Sequence, residues 1–123
     1  MLEPAKTVLI YQKQPGIKEF SKGEVIFEAG EIGAVMYGVL EGVVDLYVGN
    51  KVVETIETGD VFGEGALVHE SHKRATTAVA KTNCKLAYLD KDRFLFAVHE
   101  TPVFALEVMR SYSNRLRRLK EAF

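Results

Sequence analysis

The run Gly59-Asp60-Val61-Phe62-Gly63-Glu64-Gly65-Ala66-Leu67, followed by Arg74-Ala75-Thr76-Thr77, holds the residue types of an anion site. Gly63 and Gly65 let backbone pass close to a bound group. Ala66-Leu67-Val68 fits one short helical turn, whose free N–H groups would point at an anion with help from the local dipole. Arg74 brings a guanidinium fork that matches two phosphate oxygens and stays charged at any working pH. Glu64 is an acceptor for a ribose hydroxyl. A carboxylate beside a phosphate is repulsive unless an arginine and N–H groups offset it. An acid at 64 and a base at 74 therefore fit a ligand with a hydroxyl at one end and an anion at the other. The plainer roles are a helix cap for Glu64 and a surface loop position for Arg74 beside Lys73.

Other reactive types are less organised. His69-x-x-His72 with Glu70 has a passable spacing for two metal ligands, yet a metalloenzyme would need a third histidine and a carboxylate arranged on the strands. His99 falls on or after a short helix instead, and no metal is expected. Cys84 opens a strand and reads as buried packing, because no base is evident beside it. No nucleophile–base–orienter set occurs, so no enzymatic turnover is expected.

These residues must be held by short strands. All ten glycines lie between Gly16 and Gly65. Between and after them, residues 25–27, 35–39, 43–48, 51–56, 75–80 and 84–90 are rich in β-branched and aromatic types. Val48-Gly49-Asn50-Lys51 is the clearest hairpin signal. Residues 7–11 fit an added strand. Closely spaced strands without helices between them predict a mainly β fold, an antiparallel sandwich or barrel.

The last third is helical. Asp90-Lys91-Asp92 predicts a capped short helix with Phe94, Leu95 and Val98 inward. Thr101-Pro102 predicts a restart, with Thr101 as N-cap and Pro102 at the first helical position. A long helix follows to the C-terminus. Ala105, Met109, Tyr112, Leu116, Leu119 and Phe123 form a seam on the 3.5-residue repeat of a coiled coil. The alternative is a helix lying on its own barrel. Arg110, Arg115, Arg117, Arg118 and Lys120 read as a solvated face of that helix. Arg110, Arg115 or Tyr112 could instead lie against a base.

Composition bounds the rest. The chain has 123 residues with 16 Lys and Arg against 17 Asp and Glu, a net charge of −1. That is one domain's worth of chain, without the uniform positive charge of a nucleic-acid binder. No apolar run approaches the roughly 18 residues that would span a bilayer. The N-terminal residues lack the pattern of a signal peptide. A single cysteine cannot form an internal disulfide, so a reducing cytoplasm is expected.

Together, Gly23-Glu24-Val25-Ile26-Phe27-Glu28-Ala29-Gly30, Met36-Tyr37-Gly38-Val39-Leu40-Glu41-Gly42 and Gly59-Asp60-Val61-Phe62-Gly63-Glu64, with Arg74-Ala75-Thr76-Thr77, resemble a known pattern. The sequence is similar to the cyclic nucleotide-binding domain of the catabolite activator and cyclic-nucleotide-dependent kinase regulatory family, over about residues 20–119. The resemblance implies an antiparallel jelly-roll β-barrel over residues 1–100, with a phosphate-binding cassette at 62–77, then a lid or dimerisation helix at 101–123. It implies that Glu64 takes the ribose 2′-hydroxyl and that Arg74 pairs with the cyclic phosphate. It implies that the backbone at Gly63, Ala66 and Leu67 lines the phosphate and ribose, and Gly65 between them is counted in the same site. Ala75 follows the arginine where a threonine in some members favours cGMP, so cAMP is the expected ligand and cGMP a possible one. Thr76 and Thr77 are candidates for contacts near the base.

The expected partner is the small-molecule cyclic nucleotide, with no direct nucleic-acid contact and no membrane contact, in a homodimer through the C-terminal helix. There are departures from the family pattern. Gly65 stands where members usually carry a larger apolar residue, and the cassette loop 69–73 is one residue longer than in the kinases. No segment resembles the helix-turn-helix of the bacterial regulators. A nucleotide-free dimerisation or scaffold module of the same fold, or the sensor half of a DNA-binding regulator, are the alternative readings.

Overall fold

The computed structural model describes residues 3–13 and 16–122. Eight strands form two four-stranded antiparallel sheets. One runs β1 (Lys18–Phe20), β8 (Cys84–Asp90), β3 (Val35–Glu41), β6 (Val61–Phe62) across its width. The other runs β2 (Val25–Phe27), β7 (Thr77–Ala80), β4 (Val44–Val48), β5 (Lys51–Ile56). The arrangement is a jelly roll, although the two sheets do not close into a continuous barrel. The anticipated hairpin is present: Val48 faces Lys51 across Gly49 and Asn50.

Residue alternation explains the layers. Along β3 and β8, Tyr37, Val39 and Leu86 point between the sheets, where they pack with Phe27, Val44, Leu46, Ile56 and Phe62. Their neighbours Met36, Ala87 and Leu89 point the other way and pack beneath helices. Both faces of this sheet are covered, which is why its central strands read as nearly unbroken apolar runs. Cys84 is buried in the inter-sheet core.

Four helices complete the described residues: α1 (Pro4–Tyr11), the single turn α2 (Gly65–Val68), α3 (Lys91–Glu100) and α4 (Val103–Glu121). The expected strand at 7–11 is therefore wrong. These residues belong to α1, which has proline in its first turn and buries Ala5, Thr7 and Val8. Proline suits that position because the missing N–H would have no helical partner there. The burial against the outer face of the first sheet overrides the β propensity of Thr7, Val8 and Ile10. Strand β7 begins at Thr77 rather than 75.

Helix α3 is capped as expected, with Asp90 Oδ1 accepting from the Arg93 N–H at 2.8 Å. Leu95, however, is 56% exposed, and Ala97 fills the buried position beside the half-buried Phe94 and Val98. Thr101 does not cap α4 through its side chain. Pro102 is the residue at the helix boundary, and the Thr101 hydroxyl meets Tyr11 Oη at 2.7 Å.

Helix α4 separates two faces. Phe104, Val108, Ser111 and Arg115 are buried against the domain, at the helical spacing of a packed face. Met109, Tyr112, Leu116 and Leu119 of the seam remain exposed. The helix thus lies on its own domain by one face and still presents the coiled-coil stripe by another. Phe123 lies outside the described residues. No helix among the described residues is long and apolar enough to cross a membrane.

Candidate functional site

Strand β6 delivers the chain to Gly63, which has a φ of 79°, a conformation that side chains resist. A Cβ on Gly63 would also lie 2.9 Å from Arg74 Nη1. The turn lets the Gly63 carbonyl accept from Arg74 Nη1 at 2.6 Å, while Arg74 Nη2 donates to the Val35 carbonyl at 2.7 Å. The guanidinium carbon stands 4.1 Å above the centre of the Phe27 ring, a cation–π contact. Arg74 is thus buried and held, not a surface residue. Two of its donors are spent on backbone, and its Nε–H has no partner. Burial draws the guanidinium below the ordinary arginine range, with Tyr37, Glu31 and Glu64 opposing.

Gly33 is a site residue that sequence reasoning missed. A Cβ there would lie 2.6 Å from Arg74 Cζ and 2.8 Å from Ala66 Cβ. The absence of a side chain at 33 makes the guanidinium's seat. The Ile32↔Lys73 bridge fixes this neighbourhood, and its only sequence signal was one more glycine.

Glu64 stands at the N-terminal boundary of α2, yet its side chain does not cap the turn. Its Oε1 is buried without a hydrogen-bond partner. Burial pushes this carboxyl up to about 7, against the opposing pull of the Arg115 guanidinium and of backbone N–H groups at Glu64 and Gly65. The N–H groups of Ala66, Leu67 and Val68 were expected to be free for an anion. They bond instead to the carbonyls of Gly63 and Glu64 within the turn.

Arg115 corrects the reading of the basic helix face. It is buried on α4, and its guanidinium works as a five-way tie. Nε donates to Glu54 Oε1 at 2.8 Å, and Nη1 donates to the Val61 carbonyl at 2.6 Å and to Ser111 Oγ at 2.8 Å. Nη2 lies 3.7 Å from Glu64 Oε1, and Asp60 is within 3.9 Å of Nη1. Ser111 also donates to Asp60, and the Tyr112 ring stacks 4.3 Å from the guanidinium. The other four basic residues of the helix are exposed, as expected of a solvated face.

These groups surround one cavity of about 200 Å³. Gly63, Glu64, Gly65, Ala66, Arg74, Ala75 and Thr76 line it, joined by Glu54, Tyr112 and Arg115. The Leu67 side chain packs in the core beneath the helices, so only its backbone is on offer to a ligand, as the resemblance implied. Thr77 also points elsewhere, its hydroxyl accepting from the Ala29 N–H at 3.0 Å. The wall therefore carries a buried carboxylate oxygen and an arginine with a buried N–H, both without hydrogen-bond partners. Buried polar atoms left without a hydrogen bond cost stability unless a ligand supplies one. Among the described residues no group of three or more His, Cys, Asp or Glu is placed to hold a metal.

Residues 17–101 match the family model of the cyclic nucleotide-binding domain. The chain belongs to this family. As a cyclic nucleotide-binding domain it is a regulatory ligand-binding module. It is 40% identical over 90 residues to a cAMP-dependent protein kinase regulatory subunit of Eremothecium gossypii, covering 73% of this chain and 19% of that protein. It is 38% identical over 76 residues to a cGMP-dependent protein kinase of Eimeria tenella, covering 62% of this chain and 8% of that protein. The chain thus spans a fifth or less of these relatives. Among solved structures, the catabolite activator protein of Thermus thermophilus aligns with a TM-score of 0.75 at 26% identity, over 98% of this chain and 57% of that one.

Proposed function

We propose that this domain senses a cyclic nucleotide, cAMP before cGMP, and passes the binding event to its C-terminal helix. The observation that carries the reading is the pair of unsatisfied buried groups, Glu64 Oε1 and Arg74 Nε, in the wall of one cavity. A cyclic nucleotide supplies a hydroxyl for the first and an anionic oxygen for the second. Arg74 is pre-positioned for this work, because the carbonyls of Gly63 and Val35 and the Phe27 face already fix its plane. Ala75 places no hydroxyl in the wall, which favours cAMP. Thr76, Tyr112 and Arg115 line the same cavity and are the groups this reading assigns to the base.

The coupling follows from Arg115. Its guanidinium attracts the same Glu64 carboxylate that the ribose would use. A hydroxyl donated to Glu64 weakens the hold of that carboxylate on α4. The C-terminal segment, residues 101–123, is then the moving lid, and residues 1–100 with the cassette at 62–77 are the sensing body. Such a switch works because the ligand binds the two helix positions with different affinity. The exposed stripe Met109, Tyr112, Leu116 and Leu119 carries the change to a second copy. Light scattering tests that pairing: the wild type runs as a dimer and Leu116→Glu as a monomer, and a wild-type monomer at high concentration contradicts it.

Titration calorimetry with cAMP and with cGMP tests the central reading. Saturable heat, stronger for cAMP, is expected. No heat and no thermal shift at millimolar nucleotide would leave a scaffold of the same fold.

A further inference from the structure

The cassette loop contains a second basic group that the function above does not use. His69 closes the single turn α2, its N–H bonding to the Gly65 carbonyl at 2.9 Å. Its imidazole folds back over Gly65: a Cβ at 65 would lie 3.3 Å from His69 Cδ2 and 4.0 Å from Nε2. A leucine-sized side chain there would occupy the space of the ring. The same imidazole lines the cavity that holds Glu64 and Arg74.

The loop that carries it is pinned. The His72 N–H bonds to the His69 carbonyl at 3.1 Å, and His72 Nδ1 donates to the Ala66 carbonyl at 2.8 Å. The His72 carbonyl accepts from the Gly33 N–H at 2.8 Å. His72 adopts a φ of 56° to make these bonds, and residues seldom hold that conformation unless the surroundings determine it. His69 therefore stands on a fixed loop, within the same stretch as Lys73 and Arg74.

We propose that the His69 imidazole is a direct contact for the anionic group of the ligand, seated in the space that the missing side chain at Gly65 leaves open. The inference rests on the cyclic nucleotide reading. Arg74 spends two donors on backbone carbonyls, so an added N–H donor at the same anion has work to do. An imidazole Nε2–H suits a phosphate oxygen, and a charged hydrogen bond is about twice as strong as a neutral one. Gly65 and His69 are then one device: the first makes the seat and the second fills it.

A double-mutant cycle with cAMP in titration calorimetry tests this. His69→Ala should weaken binding about tenfold. Gly65→Leu should weaken it by a similar factor, because leucine evicts the ring. The double variant should be no weaker than either single one, since each removes the same contact. Thermal unfolding checks the fold, which none of the three should disturb, His69 being exposed. Wild-type affinity in His69→Ala, or multiplied losses in the double variant, overturns the proposal. Failure of the wild type itself to bind cAMP or cGMP overturns the parent reading instead.

Discussion

The Arg115 guanidinium, on the last helix, lies 3.7 Å from the Glu64 carboxylate in the cassette, and both side chains are largely buried. These residues are fifty-one positions apart in the chain. Their contact makes the helix and the ligand cavity one electrostatic unit.

The pH response of the free domain follows from Glu64. Its carboxyl titrates at about 7 when folded, above the ordinary 4.5. Below 4.5 the folded and unfolded chains both hold the proton. Between 4.5 and about 7 the unfolded chain releases it and the folded chain keeps it. Stability therefore falls as pH rises through that window, by up to ~3 kcal/mol from this group. Urea unfolding at several pH values should show the fall in the wild type and a flatter profile in Glu64→Gln. An unchanged profile in the variant contradicts the assignment.

Removing the tie frees the helix. Arg115→Met leaves Glu54 and Asp60, which are part-exposed, and the buried Glu64 without their cation. Stability should drop by about 2–3 kcal/mol, below the roughly 3–5 kcal/mol of a fully buried broken pair because water reaches two of the partners. Amide hydrogen exchange should quicken from Ser111 onward and stay slow in β3 and β8. Equal protection of α4 in both proteins would mean that Arg115 does not hold it.

The seat beneath the Arg74 guanidinium is equally testable. Gly33→Ala brings a methyl group to 2.6 Å from Arg74 Cζ, a separation that forces the guanidinium to move. Cyclic nucleotide affinity should fall at least tenfold, because the fork loses its alignment rather than its charge. Unaltered affinity in a folded Gly33→Ala would show that the guanidinium adapts freely.

Much of this was legible in the sequence, where local rules decide. Gly49-Asn50 between β-rich runs wrote its own hairpin, and Asp90 wrote the cap of α3. The cassette announced itself by Gly63, Glu64 and Arg74, all of which line the cavity. What escaped depends on distant partners. Arg115 resembled its exposed neighbours Arg117 and Arg118, and only Glu54, Asp60 and the Val61 carbonyl, more than fifty residues away, make it a buried anchor. Residues 7–11 have strand-like types, but a sheet face in need of cover turned them into a helix. The seam of Met109 and Leu116 was visible as a repeat, yet periodicity alone could not separate it from the face that docks through Phe104 and Val108.

The most direct measurement is calorimetric binding of cAMP to the wild type and to Arg74→Ala, with thermal unfolding as the check on folding. Loss of a charge-assisted fork contact worth about 2–3 kcal/mol predicts affinity roughly a hundredfold weaker in the variant. A folded Arg74→Ala that binds cAMP as tightly as the wild type would contradict the account.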